Sequence, residues 1–210
     1  MTWRPICTSL RARAPAMRRL ALAGLLLCTV GCGTGGRLDV ESRPAADPEP
    51  ARELFERFDN AVWGQRGNGP YNAILMVARS RGTPTPDRPG GSEQLLVVEL
   101  DWLPRTTKLN TDPTMISARY TWLVRSAGGM LAYQGAGFAY PQNPFERGRP
   151  TSRLSIEIDS GTLQRTAGDP GTDELGEVRI RGRMVAELDS VQARHLFTRA
   201  RQEIAELRRR

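Results

Sequence analysis

The side chains that most often carry out catalysis are scarce in this 210-residue chain. His195 is the only histidine, so a Ser-His-Asp or Cys-His arrangement would have to use it. It lies beside Arg194 in a segment of helical periodicity, and the chain has no Gly-x-Ser-x-Gly motif. A phosphate-binding Gly-x-x-x-x-Gly-Lys motif is also absent. The sequence therefore predicts no catalytic residue and no cofactor.

Paired carboxylates are the remaining candidates for acid–base chemistry. Glu99 and Asp101 alternate along one predicted strand, and Glu157 and Asp159 alternate along another, about 6–7 Å apart. General acid–base catalysis would require one member of a pair to be desolvated. Because alternating acids are more typical of a solvated strand face, a carboxylate-dependent hydrolase is the weakest of three functional hypotheses.

Metal binding has little support in the sequence. With a single histidine, a zinc site would need at least three carboxylates. Asp169, Asp173, Glu174 and Glu177 lie close together near two glycines, but their spacing departs from that of an EF-hand calcium loop. No metal site is predicted.

A row of arginines is the most distinctive predicted surface feature. Arg179, Arg181 and Arg183 alternate with apolar residues, which places them on one face of a strand. Guanidinium groups in such a row can bind the carboxylates or phosphates of a partner. The alternative is that Glu157 and Asp159 pair with them across neighbouring strands and neutralise both rows. The three arginines are the candidate partner-binding residues.

The first 32 residues indicate export and anchoring. Arg18 and Arg19 precede an apolar run over 20–27 that is too short to span a bilayer, and Gly31 directly precedes Cys32. This order resembles the signal peptide and lipobox of bacterial lipoproteins, for which Met17 is the more usual start. The resemblance implies cleavage before Cys32, a diacylglyceryl thioether on its sulfur and an acylated amino terminus.

The distribution of cysteines favours lipidation over an ordinary secretory signal. Cys7, Cys28 and Cys32 are the only cysteines, so the mature chain has none that could pair with Cys32. Several acyl chains on one residue make a stable membrane anchor without a spanning helix. By resemblance to lipoproteins of two-membrane bacteria, Gly33 implies sorting to the outer membrane, facing the periplasm.

Removal of the leader also changes the charge. The whole chain has a formal net charge of +7, but five arginines and no acidic residue lie within 1–31. The mature chain keeps 25 basic and 23 acidic side chains, a net charge of +2. Nucleic acid is therefore not an expected partner.

The chain divides into three predicted parts: a signal peptide over 1–31, the lipidated cysteine with a flexible tether over 32–50, and one domain over 51–210. The tether is inferred from three prolines and few apolar residues. Apolar spacing predicts an amphipathic helix over 51–63, with Leu54, Phe55 and Phe58 on its buried face. It also predicts a closing helix that is capped by Asp189 and has Phe197 in its apolar stripe. Between them, alternation predicts about six mostly antiparallel strands in a sheet or sandwich. The expected fold class is α+β.

Three functions fit these observations. The first is a non-catalytic lipoprotein domain that binds a protein partner or helps to assemble a larger envelope complex. The second is a carrier or sensor of a hydrophobic ligand, favoured by Leu95, Val97 and Leu123, which face outward on predicted strands. The third is the carboxylate-dependent hydrolase. The missing catalytic groups favour the first.

Overall fold

The computed structural model of the chain describes residues 34–43, 52–66, 72–81, 93–102, 116–126, 129–142, 144–146, 149–168 and 175–210. The chain divides into two compact units, Met1–Cys32 and Gly33–Arg210, and every described residue belongs to the second unit. The leader, Cys32 and residues 44–50 lie outside the described residues.

The described residues form eleven β-strands and one α-helix. The strands are β1 (Gly35–Arg43), β2 (Arg52–Phe58), β3 (Asn60–Arg66), β4 (Asn72–Arg81), β5 (Glu93–Trp102), β6 (Ser117–Ser126), β7 (Gly129–Gln142), β8 (Phe145–Glu146), β9 (Arg149–Pro150), β10 (Arg153–Gly168) and β11 (Glu177–Leu188). The helix α1 spans Ser190–Leu207.

Nine of these strands form one sheet that closes on itself. Neighbouring strands follow the order β10-β7-β6-β5-β4-β3-β11-β1-β2, and β10 also pairs with β11. The pairings are antiparallel except for a parallel contact of two residues between β11 and β3. Strands β8 and β9 form a separate small sheet. Among the described strands of the large sheet, β2 ends the order and pairs only with β1.

Inward-pointing side chains from all nine strands form the main core. Trp63, Trp122, Tyr120 and Tyr133 are the largest buried side chains. The Trp122 and Tyr133 rings pack with their centroids 5.7 Å apart. The Tyr120 hydroxyl donates a hydrogen bond to the carbonyl of Phe138 at 2.9 Å. Large side chains that contact one another therefore pack the interior of the sheet.

The helix covers the outer face of part of the sheet and makes a second core. It begins where the Asp189 carboxylate accepts hydrogen bonds from the backbone N–H groups of Val191 and Gln192, at 3.1 and 2.8 Å. The prediction of a capped closing helix is confirmed. Its buried side chains are Ala193, Leu196, Ala200, Ile204 and Leu207, and they pack on Val62, Leu75, Val77, Leu95, Val97, Leu123 and Ala132.

A glycine allows the helix to approach this closely. A Cβ atom on Gly64 of β3 would lie 2.6 Å from the Cα atom of Ser190, the first residue of α1. Contacts this short do not occur between real side chains and backbone, so a larger residue would push the start of the helix away from the sheet.

The predicted α+β class is wrong because the amino-terminal helix does not exist in the described part of the chain. Residues 52–58 form β2 and residues 60–66 form β3. Leu54 and Phe58 face the core, whereas Phe55 is exposed. Apolar side chains at these positions fit a helical stripe as well as a strand with one outward aromatic residue, and only pairing with β1 decides between them. The fold is mostly β with one carboxyl-terminal helix.

The predicted tether over 32–50 is also wrong for residues 35–43, because they form β1. Leu38 and Val40 are buried, and the charged residues between them face outward. The alternation of inward apolar and outward charged residues that is typical of a strand is therefore present in this segment, but it includes few apolar residues. All six predicted strands are confirmed, as β4, β5, β6, β7, β10 and β11.

Candidate binding surface

The three candidate arginines lie on the outer face of β11. Arg179, Arg181 and Arg183 are exposed, whereas Val178, Ile180 and Met184, which alternate with them along the strand, are buried. This alternation places the guanidinium groups in one row on the outside of the closed sheet. We call Arg179, Arg181 and Arg183 the arginine face.

The members of the arginine face differ in how far they are neutralised. Arg179 lies 4.0 Å from the carboxylate of Glu177, and both side chains are about half exposed. Arg181 makes no hydrogen bond or ion pair with any described residue. An exposed pair at 4.0 Å contributes little, so two of the three guanidinium groups are available to a partner.

The cross-strand pairing considered above is not formed. Arg183 donates hydrogen bonds to the Ser155 hydroxyl at 3.1 Å and to the Gln142 side-chain oxygen at 3.4 Å. Glu157 lies opposite Arg183 in the register, but the described contacts include no ion pair between them. Asp159 lies where the register of β10 shifts, so it faces no member of the arginine face.

The neighbouring strand β1 leaves the arginine face unneutralised, because its charges pair along the strand. Arg37 binds Asp39 and Arg43 binds Glu41, each at 2.9 Å. Asp39 lies opposite Arg181 in the register, yet its carboxylate contacts Arg37 instead. The acidic side chains of β1 therefore lie beside the arginine face without forming ion pairs with it.

A cleft of about 540 Å³ runs across β2, β1, β11 and β10. Arg179 and Arg181 line one side of it, and Phe55 and Glu53 line the other. Phe55 is 61% exposed, and the Arg37 guanidinium lies 4.2 Å from the centre of its ring. Guanidinium groups beside an exposed aromatic ring can bind a carboxylate and an apolar side chain at the same time.

Phe55 was not predicted as a surface residue, because its spacing from Leu54 and Phe58 also fits the buried face of a helix. The exposed ring follows from the outward position of Phe55 in β2, which places it opposite Asp39 of β1. An apolar residue between charged ones in a short segment does not by itself distinguish these possibilities.

The structure does not bring the predicted carboxylate pairs into a buried site. Glu99 forms an ion pair with Arg66, and Glu157 and Asp159 are exposed. Asp101 lies in β5, and its side chain is outside the described part. No Asp or Glu is among the buried residues of the described chain. The hydrolase hypothesis therefore gains no support.

His195 belongs to no cluster of catalytic or metal-ligating side chains among the described residues. His195 is exposed on α1, and Asp169, Asp173 and Glu174 lie outside the described residues. Within the described ranges, no group of three or more His, Cys, Asp or Glu side chains could hold a metal ion.

A second cleft, of about 350 Å³, lies between α1 and strands β5 to β7. Phe197 of the helix projects into it, with the guanidinium groups of Arg66 and Arg201 at 5.1 and 5.6 Å from its ring centre. Arg66 is held in turn by Glu99. This arrangement depends on the docking of the helix against the sheet, so no local sequence pattern could have indicated it.

An ion-pair network joins α1 to strands β4, β5 and β6. Glu93 of β5 contacts Arg79 at 2.8 Å and Arg199 of α1 at 3.6 Å. Arg199 also contacts Glu203 at 2.8 Å, and Glu203 contacts Arg125 at 3.2 Å. Burial acts to raise the pKa of Glu93, but the Arg79 hydrogen bond and the nearby guanidinium charges outweigh it and hold the pKa below its ordinary value.

We expect Glu93→Gln to reduce the free energy of unfolding at pH 7 by about 1 kcal/mol. The lowered pKa means that ionised Glu93 stabilises the fold above its unfolded-state pKa of about 4.3, and that this contribution is lost as the pH falls through the folded-state pKa. Urea unfolding at pH 7 and pH 3 should therefore show a difference from the wild type that shrinks at pH 3.

Glu187→Gln is the matched control, because Glu187 is 62% exposed and lies 4.0 Å from Arg153. It should leave stability nearly unchanged at both pH values. Equal destabilisation by Glu93→Gln at pH 7 and pH 3 would contradict the assignment of this ion-pair network.

Among the residues that the structure describes, no helix combines the length and apolar character needed to cross a membrane. The chain was compared with protein-family models, curated protein sequences and solved structures, and no significant match was found in any of the three.

Proposed function

We propose that this protein is a lipoprotein of the bacterial cell envelope, anchored through Cys32, whose folded domain binds an acidic protein partner and catalyses no reaction. The anchor rests on the resemblance of residues 17–32 to a lipoprotein leader. The binding role rests on the arginine face.

The observation that carries the binding role is the exposed, incompletely paired row on β11. Alternate residues of a strand are about 6–7 Å apart, so the row presents guanidinium groups over about 13 Å. Arg181, at its centre, contacts no described carboxylate. Each guanidinium group can form two parallel hydrogen bonds with a carboxylate.

The charges around the row favour a folded protein as the partner. Asp39, Glu41 and Glu53 line the cleft beside Arg179 and Arg181. Asp39 and Glu41 are paired with arginines of β1, but Glu53 has no ion pair with a described residue and would repel a uniformly charged polyanion, whereas a protein surface can place a cation opposite it. The partner surface that fits is predominantly acidic with some basic residues at its border.

The carrier hypothesis loses the observation that favoured it. The outward apolar residues Leu95, Val97 and Leu123 pack against the buried face of α1. The inward face is occupied by large aromatic side chains, including Trp63 and Trp122. In the described part of the sheet, large side chains therefore occupy the inner face and α1 covers the outer apolar residues, which leaves the carrier hypothesis without a supporting observation.

The anchor is tested by Cys32→Ala. We expect the variant to move from the membrane fraction to the soluble fraction and to lose incorporation of labelled palmitate, because the thioether has no acceptor. Cys28→Ala is the control and should behave like the wild type. A Cys32→Ala protein that still sediments with membranes would refute the anchor.

The binding role is tested by photo-crosslinking in intact cells. A photoreactive amino acid is placed at position 162, beside Arg179, and in a separate control protein at position 191, near the exposed start of α1. Position 162 should yield a specific adduct with an acidic protein, and position 191 should not. Reversal of the arginine face to glutamate should abolish the adduct.

The matched control reverses three exposed arginines at and just after the helix, Arg194, Arg201 and Arg209, and should preserve the adduct. Both triple variants must melt like the wild type. An adduct that survives reversal of the arginine face, or disappears equally in the control, would exclude this surface.

A further inference from the structure

Strand β2 has one edge without a strand partner among the described residues. It pairs with β1 along Arg52–Phe58, and the chain begins to pair with β4 at Asp59, whose N–H donates to the carbonyl of Arg79 at 3.0 Å. Alternate residues of an extended strand point their backbone N–H and C=O groups to the same edge, so half of the residues of β2 point theirs to the edge that β1 does not occupy.

The side chains of Glu53, Phe55 and Arg57 lie on the outer face of the sheet. Phe55 is 61% exposed, and Glu53 and Arg57 are exposed without an ion pair to any described residue. An exposed aromatic side chain is thus flanked on one strand by two unneutralised charges of opposite sign.

The pairing of β2 with β1 does not explain these charges. Glu53 lies opposite Glu41, and Arg57 lies opposite Arg37, so like charges face each other at both positions. Glu41 and Arg37 are neutralised by other residues of β1. Like charges directly opposite each other destabilise a strand pair, so the β2 charges suit a partner on the other edge.

The order Glu53, Phe55, Arg57 is complementary to itself when reversed. In an antiparallel pair of two β2 strands centred on Phe55, Glu53 faces the partner's Arg57, and Arg57 faces the partner's Glu53. Phe55 faces the partner's Phe55. We propose that a second copy of this chain docks on β2 and forms a symmetric dimer with a sheet continuous across the two-fold axis.

Backbone pairing is compatible with this register. An antiparallel pair alternates hydrogen-bonded and non-hydrogen-bonded residue pairs, so backbone hydrogen bonds would form symmetrically on both sides of the two-fold axis at Phe55. A symmetric interface of this kind is isologous, so one patch serves both chains. Its area is small, and the expected dissociation constant is therefore micromolar.

Charge swapping tests the dimer and its register. In sedimentation velocity of the full chain in a non-ionic detergent, the wild type should pass from monomer to dimer as the concentration rises from 1 to 200 μM, roughly the range that a small interface implies. Glu53→Arg and Arg57→Glu, made separately, each place like charges together at two sites of the dimer. Each should raise the dissociation constant about tenfold or more.

Two combinations should restore association. The double variant Glu53→Arg, Arg57→Glu exchanges the charges within one chain and should dimerise like the wild type. An equimolar mixture of the two single variants should form a heterodimer, because one chain then carries only basic and the other only acidic side chains at these positions.

The single variants should remain folded, because each replaces a like-charge contact with β1 by an opposite-charge contact. Arg181→Glu changes the same outer face away from the β2 edge, and it should leave the dimer intact. A wild type that stays monomeric at 200 μM, single variants that dimerise normally, or a mixture that fails to associate would each overturn the proposal. This inference does not rest on the lipid anchor or on the arginine face.

Discussion

Trp122→Ala is expected to lower the free energy of unfolding by about 3–5 kcal/mol, the largest effect of any truncation considered for this protein. Trp122 is 1% exposed and lies in the interior of the closed sheet, in contact with the ring of Tyr133. Loss of the indole ring would leave a cavity, because the strands of a closed sheet cannot easily move inward to fill it. For a chain of this size, thermal unfolding monitored by circular dichroism should show a decrease in Tm of roughly 10 °C.

Trp122→Phe separates packing from hydrogen bonding at the same position. The Trp122 indole N–H donates to the side-chain oxygen of Gln94 at 3.0 Å, and the amide of Gln94 donates to Glu56. Phenylalanine keeps most of the aromatic volume but leaves the buried Gln94 oxygen without its donor, at a cost of about 1–3 kcal/mol. If Trp122→Ala were no more destabilising than Trp122→Phe, the interior would not be packed as described.

Strands whose residues alternate strongly were predictable because alternation is a local property of the chain. β6 and β11 place an apolar residue inward at nearly every second position, so the period alone identifies them. β4 was predictable for a different reason. Its apolar run is continuous because its inner face lies in the main core and its outer face lies under α1.

The segments that form β1 and β2 were mispredicted because their structure depends on distant residues. β1 pairs with β11, which lies more than 130 residues later in the chain, and β1 is the one described strand that pairs with β2. Leu54, Phe55 and Phe58 satisfy both a helical and an extended pattern. Such a segment adopts the conformation that its neighbours complete, and the neighbours of β2 cannot be identified from composition.

The candidate surface was predictable only in part, for the same reason. Arg179, Arg181 and Arg183 form a row in the sequence itself, so their common face follows from strand periodicity. Phe55, Glu53 and Arg57 become functional candidates only when β2 is known to be an edge strand. The sequence contains their charge symmetry, but that symmetry suggests a role only once the edge of β2 that lacks a partner among the described strands is located.

The closing helix shows how far periodicity reaches. Its start at Asp189 and its apolar stripe were predicted, yet Phe197 of that stripe is only partly buried, and Leu196 beside it is more deeply packed. Phe197 instead lies between Arg66 and Arg201. The rotation of the helix about its axis is set by the shape of the sheet beneath it. A periodic pattern does not decide which of two adjacent residues, such as Leu196 and Phe197, is the more buried.

Ile204→Ala is expected to reduce the free energy of unfolding by about 2–4 kcal/mol. Ile204 is 5% exposed and belongs to the core between α1 and the outer face of the sheet. Its truncation removes apolar contacts that hold the last turns of the helix against strands β5 to β7. Denaturant unfolding monitored by tryptophan fluorescence should show a lower midpoint with an unchanged dependence on denaturant.

Val191→Ala is the matched control, since it truncates a β-branched residue on the same helix that is 73% exposed. It should change stability by no more than about 0.5 kcal/mol. Amide hydrogen exchange distinguishes local from global effects: Ile204→Ala should accelerate exchange in α1 before it does so in β6 and β7, because helix docking is the contact that it weakens. Equal and small effects from both variants would mean that α1 contributes nothing to stability. That result would contradict the packing of α1 on the outer face of the sheet.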